Sequence, residues 1–400
     1  MSKDKLIPEL RFPEFKNEGE WHTDYLGKIA NNVTTGKLDA NAMVENGKYR
    51  FYTCAKNYYR INDYAFDTEA ILIAGNGAYL GYIHHYKGKF NAYQRTYVLS
   101  DFSKSVLYLK YYLERFLPSQ IASEKKEGNT PYIVLGTITD MVVLFPENPK
   151  EQKALASCLS SLDEVIAAQC EKLELLKNHK KGLMQNLFPQ EGETVPKYRF
   201  KEFENDGEWV EKKLGEVTEI GRGKSKHRPR DESSLFGGIY PFIQTGDIRK
   251  ANLYLTDYTQ TYSEKGLKQS KLWDENTLCV TIAANIAETA ILKIKACFPD
   301  SVIGIIHKKD ITEVLFINYL IENFKLQIQS FSQGMAQDNL NQEKLSNLVF
   351  LFPKIQEQQK IASCLSSLDA LITAQADKIE QLKLHKKGLM QGLFPKIIAN

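Results

Sequence analysis

The chain has 400 residues, 43% of them hydrophobic and 25% charged, with a formal net charge of +3. That is enough for two ordinary domains plus extensions and argues against a disordered chain. No apolar run approaches the ~18 residues of a membrane span, and the opening residues lack the apolar core of a signal peptide, so a soluble, cytoplasmic protein without membrane contact is expected.

The weak positive charge permits nucleic acid as a partner, but only a local cluster of Lys and Arg would make a phosphate footprint. Cys54, Cys158, Cys170, Cys279, Cys297 and Cys364 contain no CxxC pair. Reduced thiols and no structural metal are expected.

In chain order, the first feature is a marker that returns later. Arg11, Phe12, Phe15, Gly19, Trp21, Leu26 and Gly27 recur as Arg199, Phe200, Phe203, Gly207, Trp209, Leu214 and Gly215. Trp21 and Trp209 should anchor small hydrophobic nuclei. Residues 31–145 follow, with β-rich runs such as AILIAGNGAYLGYIHHY and QRTYVLS and a helical pattern at LYLKYYLERFL.

Next comes the stretch 151–189, which returns without a gap as 357–395, more than two thirds of its positions identical. Such self-similarity marks an internal duplication. Leu155, Leu159, Leu162, Ile166, Gln169, Leu173, Leu176, Lys180, Leu183 and Leu187 fall at alternating steps of four and three. They are repeated as Ile361, Leu365, Leu368, Ile372, Gln375, Ile379, Leu382, Lys386, Leu389 and Leu393. This is a heptad seam, and about five heptads give a rod on the order of 55 Å long. Two such rods in one chain are expected to pack on each other.

Gln169 and Gln375 are the polar positions in mid-seam. They read as register setters, because a slip would strand their amides against Leu or Ile, or else each simply reaches solvent. Asn148, Pro149 and Glu151 suit N-cap, N1 and N3 of the first rod, while Pro189 and Pro395 stop both rods. Gly182 and Gly388 cost about 1 kcal/mol each in a helix interior. Either another backbone approaches there, or the helix ends early and LMQNLF packs separately.

Residues 219–352 form a second head, with LCVTIAANIAETAILKI and SVIGIIH as strand signals and VLFINYLIENFKLQIQSF as a helical one. The heads align weakly: Thr35, Gly36 and Lys37 with Arg222, Gly223 and Lys224, and Tyr49, Arg50 and Phe51 with Tyr240, Pro241 and Phe242. One α+β fold used twice is expected. Since the rods are nearly identical and the heads diverge, the heads carry what varies.

Two near-identical helices alternating with two divergent heads resemble the specificity subunit of a type I restriction-modification system over the whole chain. The resemblance rests on the GEW marker with its Leu-Gly pair, YPFIQTGDIR at 240–249, GMAQDNLNQEKL at 334–345 and the KKGLMQ and LFP helix ends. It implies target recognition domains at 1–147 and 191–353, each reading half of a bipartite double-stranded DNA target. Spacer helices at 148–190 and 354–400 would form an antiparallel coiled coil with a pseudo-two-fold repeat. The chain would not be catalytic and would hold no cofactor. Two modification subunits would carry S-adenosylmethionine and methylate adenine, and restriction subunits would use ATP and Mg.

For DNA contact, the strongest local signal is the basic loop with Arg222, Lys224, Lys226, Arg228 and Arg230, although basic loops without a ligand are common. Gln244, Thr245, Asp247, Arg249 and Lys250 could read base edges, or could form a turn in which Asp247 bonds its own backbone. In the first head the candidates are Lys37, Lys56, Asn57, Tyr58, Arg60, Tyr93, Gln94 and Arg95. Asn76 and Tyr79 join them from a glycine-rich segment that could also be a plain hairpin turn.

Gly223, Lys224 and Ser225 imitate the end of a phosphate loop, but Thr218 stands where its first glycine is needed. His84, His85, His179 and His385 lack partners at metal spacing, so no metal site is expected. A two-headed repressor and a protein scaffold are the other classes compatible with this layout.

Overall fold

A computed structural model of the protein describes residues 6–124, 132–283, 285–331 and 340–396. Of the run at 334–345, residues 334–339 lie outside the described residues, while Asn341 caps the helix Gln342–Asn347 by accepting from the Lys344 amide at 2.8 Å. The chain forms two compact units, Met1–Ala168 with Ile379–Asn400, and Gln169–Lys378. Each unit therefore holds one head and part of both long helices.

The first head is built on a six-stranded sheet in the order Ala30–Thr35, Thr96–Phe102, Phe66–Ala74, Ile83–Ala92, Tyr49–Tyr52, Tyr59–Ile61. Its neighbours pair antiparallel except Tyr49–Tyr52, which runs parallel to Ile83–Ala92. The central strand is buried on both faces, as its unbroken AILIA run requires. With a side-chain period of two, Ile71 and Ile73 meet Tyr108, Leu109 and Tyr112 of the helix Val106–Glu124. Ala70 and Leu72 meet Tyr52 and Phe90 on the other face.

The second head repeats this order in Thr218–Arg222, Val302–His307, Leu278–Thr281 and Thr289–Leu292, with Tyr254–Leu255 added at the edge. A separate four-stranded sheet carries Phe236–Phe242, again parallel to the chain leaving the core sheet, at Phe242 beside Cys297. Tyr49–Tyr52 and Phe236–Phe242 thus occupy the same topological place. The heads share one α+β plan.

The markers do what two tryptophans in apolar surroundings should. Trp21 packs edge-on against Tyr108 and Phe394, with ring centroids 6.0 and 6.3 Å away. Trp209 packs against Phe188 and Phe316 at 6.2 and 5.9 Å. The Phe of each LFP end is therefore the plug of a tryptophan nucleus.

The long helices run Pro149–Leu187 and Ile355–Leu393. Within the second unit Gln169 meets Gln375 and Lys180 meets Asp369, so one helix ascends in number as the other descends. Within the first unit Leu155 and Leu159 share a core with Met390, Leu393 and Phe394, and Asp163 meets Lys386, again antiparallel. Ile361 and Leu365 are buried with Leu187 and Phe188 in the second unit. Leu162, Ile166, Gln169, Leu173, Leu176, Leu368, Ile372 and Leu382 are half-buried and Gln375 and Ile379 buried, as one stripe of a two-stranded seam allows.

The helices do not end early at Gly182 and Gly388, and no backbone among the described residues approaches either glycine. Both helices continue past them, and a Cβ at either would meet nothing within 4 Å. At the first N-terminus Asn148 accepts from the Lys150 amide at 3.0 Å. Glu151 does not complete a capping box, because its carboxylate takes both arms of Arg11 at 2.8 Å each.

Candidate nucleic-acid interface

Gly36 and Gly223 explain why chain segments converge at the strand ends. A Cβ on Gly36 would lie 1.9 Å from the Ala92 carbonyl oxygen, and one on Gly223 would lie 2.2 Å from that of Pro299. Only glycine lets the chain leaving the first sheet strand pass so close to the chain at Ala92 in one head and to the chain just after Cys297 in the other. The Gly36 and Gly223 amides donate to the carbonyls of Thr96 and Val302, at 3.2 and 2.9 Å.

In the first head this crossing gathers every candidate segment. The Gln94 amide donates to Leu38 at 2.9 Å and that of Tyr93 to Tyr52 at 2.9 Å, while Gly75 donates to Arg95 at 2.9 Å. His84 bonds the Ala55 carbonyl at 2.9 Å through its Nε2, and burial holds its imidazole below the usual range despite that bond. Lys37, Lys56, Asn57, Tyr58, Arg60, Tyr79, Gln94 and Arg95 are exposed along this edge, and Asn76 and Tyr93 are half-buried. Lys56 lies over Tyr79 at 5.3 Å and Arg60 over Tyr58 at 5.5 Å. Gly77 and Gly81, at φ +81° and +78°, shape the turn between Phe66–Ala74 and Ile83–Ala92, so this segment is a hairpin turn that carries Asn76 and Tyr79.

The centre of this edge is held by a residue that no sequence motif marks. Arg50 sits between the rings of Tyr58 and Tyr86, 4.4 Å from each centroid, and its Nη1 donates to the Tyr52 hydroxyl at 3.3 Å. Tyr52 and Tyr82 flank His84 at 5.0 and 4.9 Å. The available signal was the aligned triplet in which Arg50 faces Pro241.

In the second head the basic loop is only partly free. Arg222 donates from Nε to the Asp300 carbonyl, Arg230 pairs with Asp300 at 2.8 Å, and Arg228 donates to the Ser225 and His227 carbonyls at 2.8 and 2.7 Å. Lys224 and Lys226 are exposed, and their amines have no partner among the described residues. Glu232 ties the loop base to Lys265, Ser234 and His227, and those bonds, Lys265 first, pull its carboxyl down to about 2.

Asp247 must be withdrawn as a base reader. It is 8% exposed and caps the short helix Thr245–Lys250 by accepting from the Gln244 amide at 2.9 Å. Gln244 itself donates to Gln260 at 2.6 Å, while Thr245 is half-buried and Arg249 and Lys250 are exposed. The first head has no such helix at Thr53 to Lys56, which keeps roles from transferring between heads. Gly223, Lys224 and Ser225 follow a strand and precede no helix, unlike a phosphate loop.

Two related heads, each with cations and polar groups gathered where strands end, on a framework of duplicated helices, define a two-headed recognition protein. The family described as a type I restriction modification DNA specificity domain matches residues 18–178 and again 206–384, and the chain belongs to this family. That family is a DNA recognition domain and not a catalytic one.

The chain is 39% identical over 184 residues to the EcoDI specificity subunit of Escherichia coli, a match spanning 45% of this chain and 40% of that one. It is 28% identical over 319 residues to the MjaVIII specificity subunit of Methanocaldococcus jannaschii, spanning 75% and 71%. The fold is similar to the crystal structure of the type I S subunit from M. genitalium, with a TM-score of 0.65 at 16% identity, covering 98% of this chain and 100% of that one. It is also similar to a chain from a study of complex assembly and conformational transition in the type I R-M system, with a TM-score of 0.57 at 16% identity, covering 94% and 98%. No helix among the described residues is long and apolar enough to cross a membrane.

Proposed function

We propose that the chain is the DNA specificity subunit of a type I restriction-modification complex in which each head reads one half of a bipartite target. The observation that carries this reading is the repeated strand-end crossing at Gly36 and Gly223, which presents different side chains on the same framework in each head. Lys37, Lys56, Arg60 and Arg95 in the first head, and Lys224, Lys226, Arg249 and Lys250 in the second, would engage phosphates or bases.

The antiparallel helices act as the ruler between half-sites, with Gln169 and Gln375 setting their register. Two modification subunits dock on the chain, bring S-adenosylmethionine and flip a target adenine into their own sites; restriction subunits bring ATP and Mg. The work is cytoplasmic, and the chain holds no cofactor itself.

The test is co-expression with a type I adenine modification subunit, followed by mapping of methylated adenine in host DNA. A two-part motif with a fixed unread spacer is the expected result. A chain that binds a defined site alone, forms no complex and produces no new methylation is a repressor instead.

A further inference from the structure

The first head holds one cation whose placement exceeds what folding asks of it. In the ladder between Tyr49–Tyr52 and Tyr59–Ile61, Arg50 stands directly opposite Arg60. Like charges opposite each other on a sheet are destabilising. No carboxylate pairs with either arginine among the described residues; both instead lie against the Tyr58 ring, 4.4 and 5.5 Å from its centroid.

Arg50 is the more constrained of the two. Tyr86 closes its other side at 4.4 Å and the Tyr52 hydroxyl takes one N–H at 3.3 Å, which leaves the rest of its donor fork without an acceptor among the described residues. A guanidinium clamped between two rings has already lost its rotamer freedom, so binding through its edge costs little further entropy. The equivalent ladder of the second head pairs Pro241 with Thr261 and has no charge at all. The device belongs to one head.

Resting on the reading of this head as a DNA reader, we propose that Arg50 is its specificity-determining residue and takes a guanine through O6 and N7 in the major groove. Arg60 opposite anchors the adjacent phosphate. The anion that both arginines face is the duplex itself, and a two-donor fork matches guanine better than any other base edge.

The experiment uses the full chain assembled with its modification subunits. Affinity is measured for duplexes substituted at each position of the first half-site, with Arg50→Gln, Arg50→Lys and Arg60→Gln. The Arg50 variants should lose a roughly ten- to hundred-fold preference for guanine at one position and leave the second half-site unchanged. Arg60→Gln should weaken all duplexes alike and reduce the salt slope by about one.

As a check that needs no variant, 7-deazaguanine at that position should weaken wild-type binding about tenfold. Arg50 variants that weaken every duplex equally, or leave the motif intact, would overturn the assignment, as would indifference to 7-deazaguanine. A wild-type complex with no two-part motif would overturn the underlying function first, before any variant is compared.

Discussion

Arg11 and Glu151 in one unit, and Arg199 and Glu357 in the other, form the same bidentate pair, with N–O distances of 2.7 to 2.8 Å. Both carboxylates are 1% exposed, and each pair joins a marker to the start of the helix it belongs with. Removing one partner of a buried pair strands the other charge, so Glu151→Ala should cost about 3 kcal/mol, read from denaturant unfolding. A loss under about 1 kcal/mol would place that carboxylate in water. A second duplicated set holds the seam lysines: Lys386 with Asp163 at 2.6 Å beside Tyr111, and Lys180 with Asp369 at 2.7 Å beside Tyr319. Burial pushes the Asp163 carboxyl up, but the Lys386 bond, the Lys110 and Lys386 charges and the Tyr111 hydroxyl together hold it below the usual range. Its stabilisation is therefore present above the ordinary aspartate value and lost as pH falls through the lowered folded one. Glu322 goes the other way, raised by burial against the Lys180 charge, so its contribution is present at low pH and lost as pH rises through the raised value. Unfolding free energy against pH should thus lose acid-side slope in Asp163→Asn, and in Glu322→Gln it should lose the fall that sets in as pH rises above the ordinary glutamate value.

At the scale of elements, the long helices carry two glycines that their own fold does not use. Gly182 and Gly388 lie inside continuous helix with open space where a Cβ would stand. Gly182→Ala and Gly388→Ala should each stabilise the chain by about 0.5 to 1 kcal/mol, seen as a rise in Tm. A fall in Tm would mean that space is occupied. The seam was legible because a period of 3.5 residues is written twice in nearly the same letters. That Lys180 and Lys386 sit in it was legible too, but not their acidic partners, because ion pairing across a coil is decided by register and not by local spacing. The Phe of each LFP end was read as a helix terminus, yet it fills a tryptophan nucleus of the opposite half, a contact no local pattern announces. In the heads the strands were legible from their apolar runs, whereas the partition of the second head into two sheets depends on where short strands such as Ala296–Cys297 pair.

For the molecule as a whole, the candidate surface was half legible. The first head's polar and aromatic segments do meet at one edge, because Gly36 lets two strand exits cross, but Arg50 hid inside a strand pattern and Asp247 looked like a reader when it is a cap. If the helices are the ruler, deleting one heptad from each shortens each by roughly 10 Å and should change the spacer length while leaving both half-site sequences as they were. The most direct test of two independent readers is to replace residues 219–352 with a copy of 31–145 and map methylated adenine in cells that also carry the modification subunits. The second half-site should disappear and the first should be found twice, in opposite orientations. An unchanged motif, or one altered in both halves at once, would contradict independent reading.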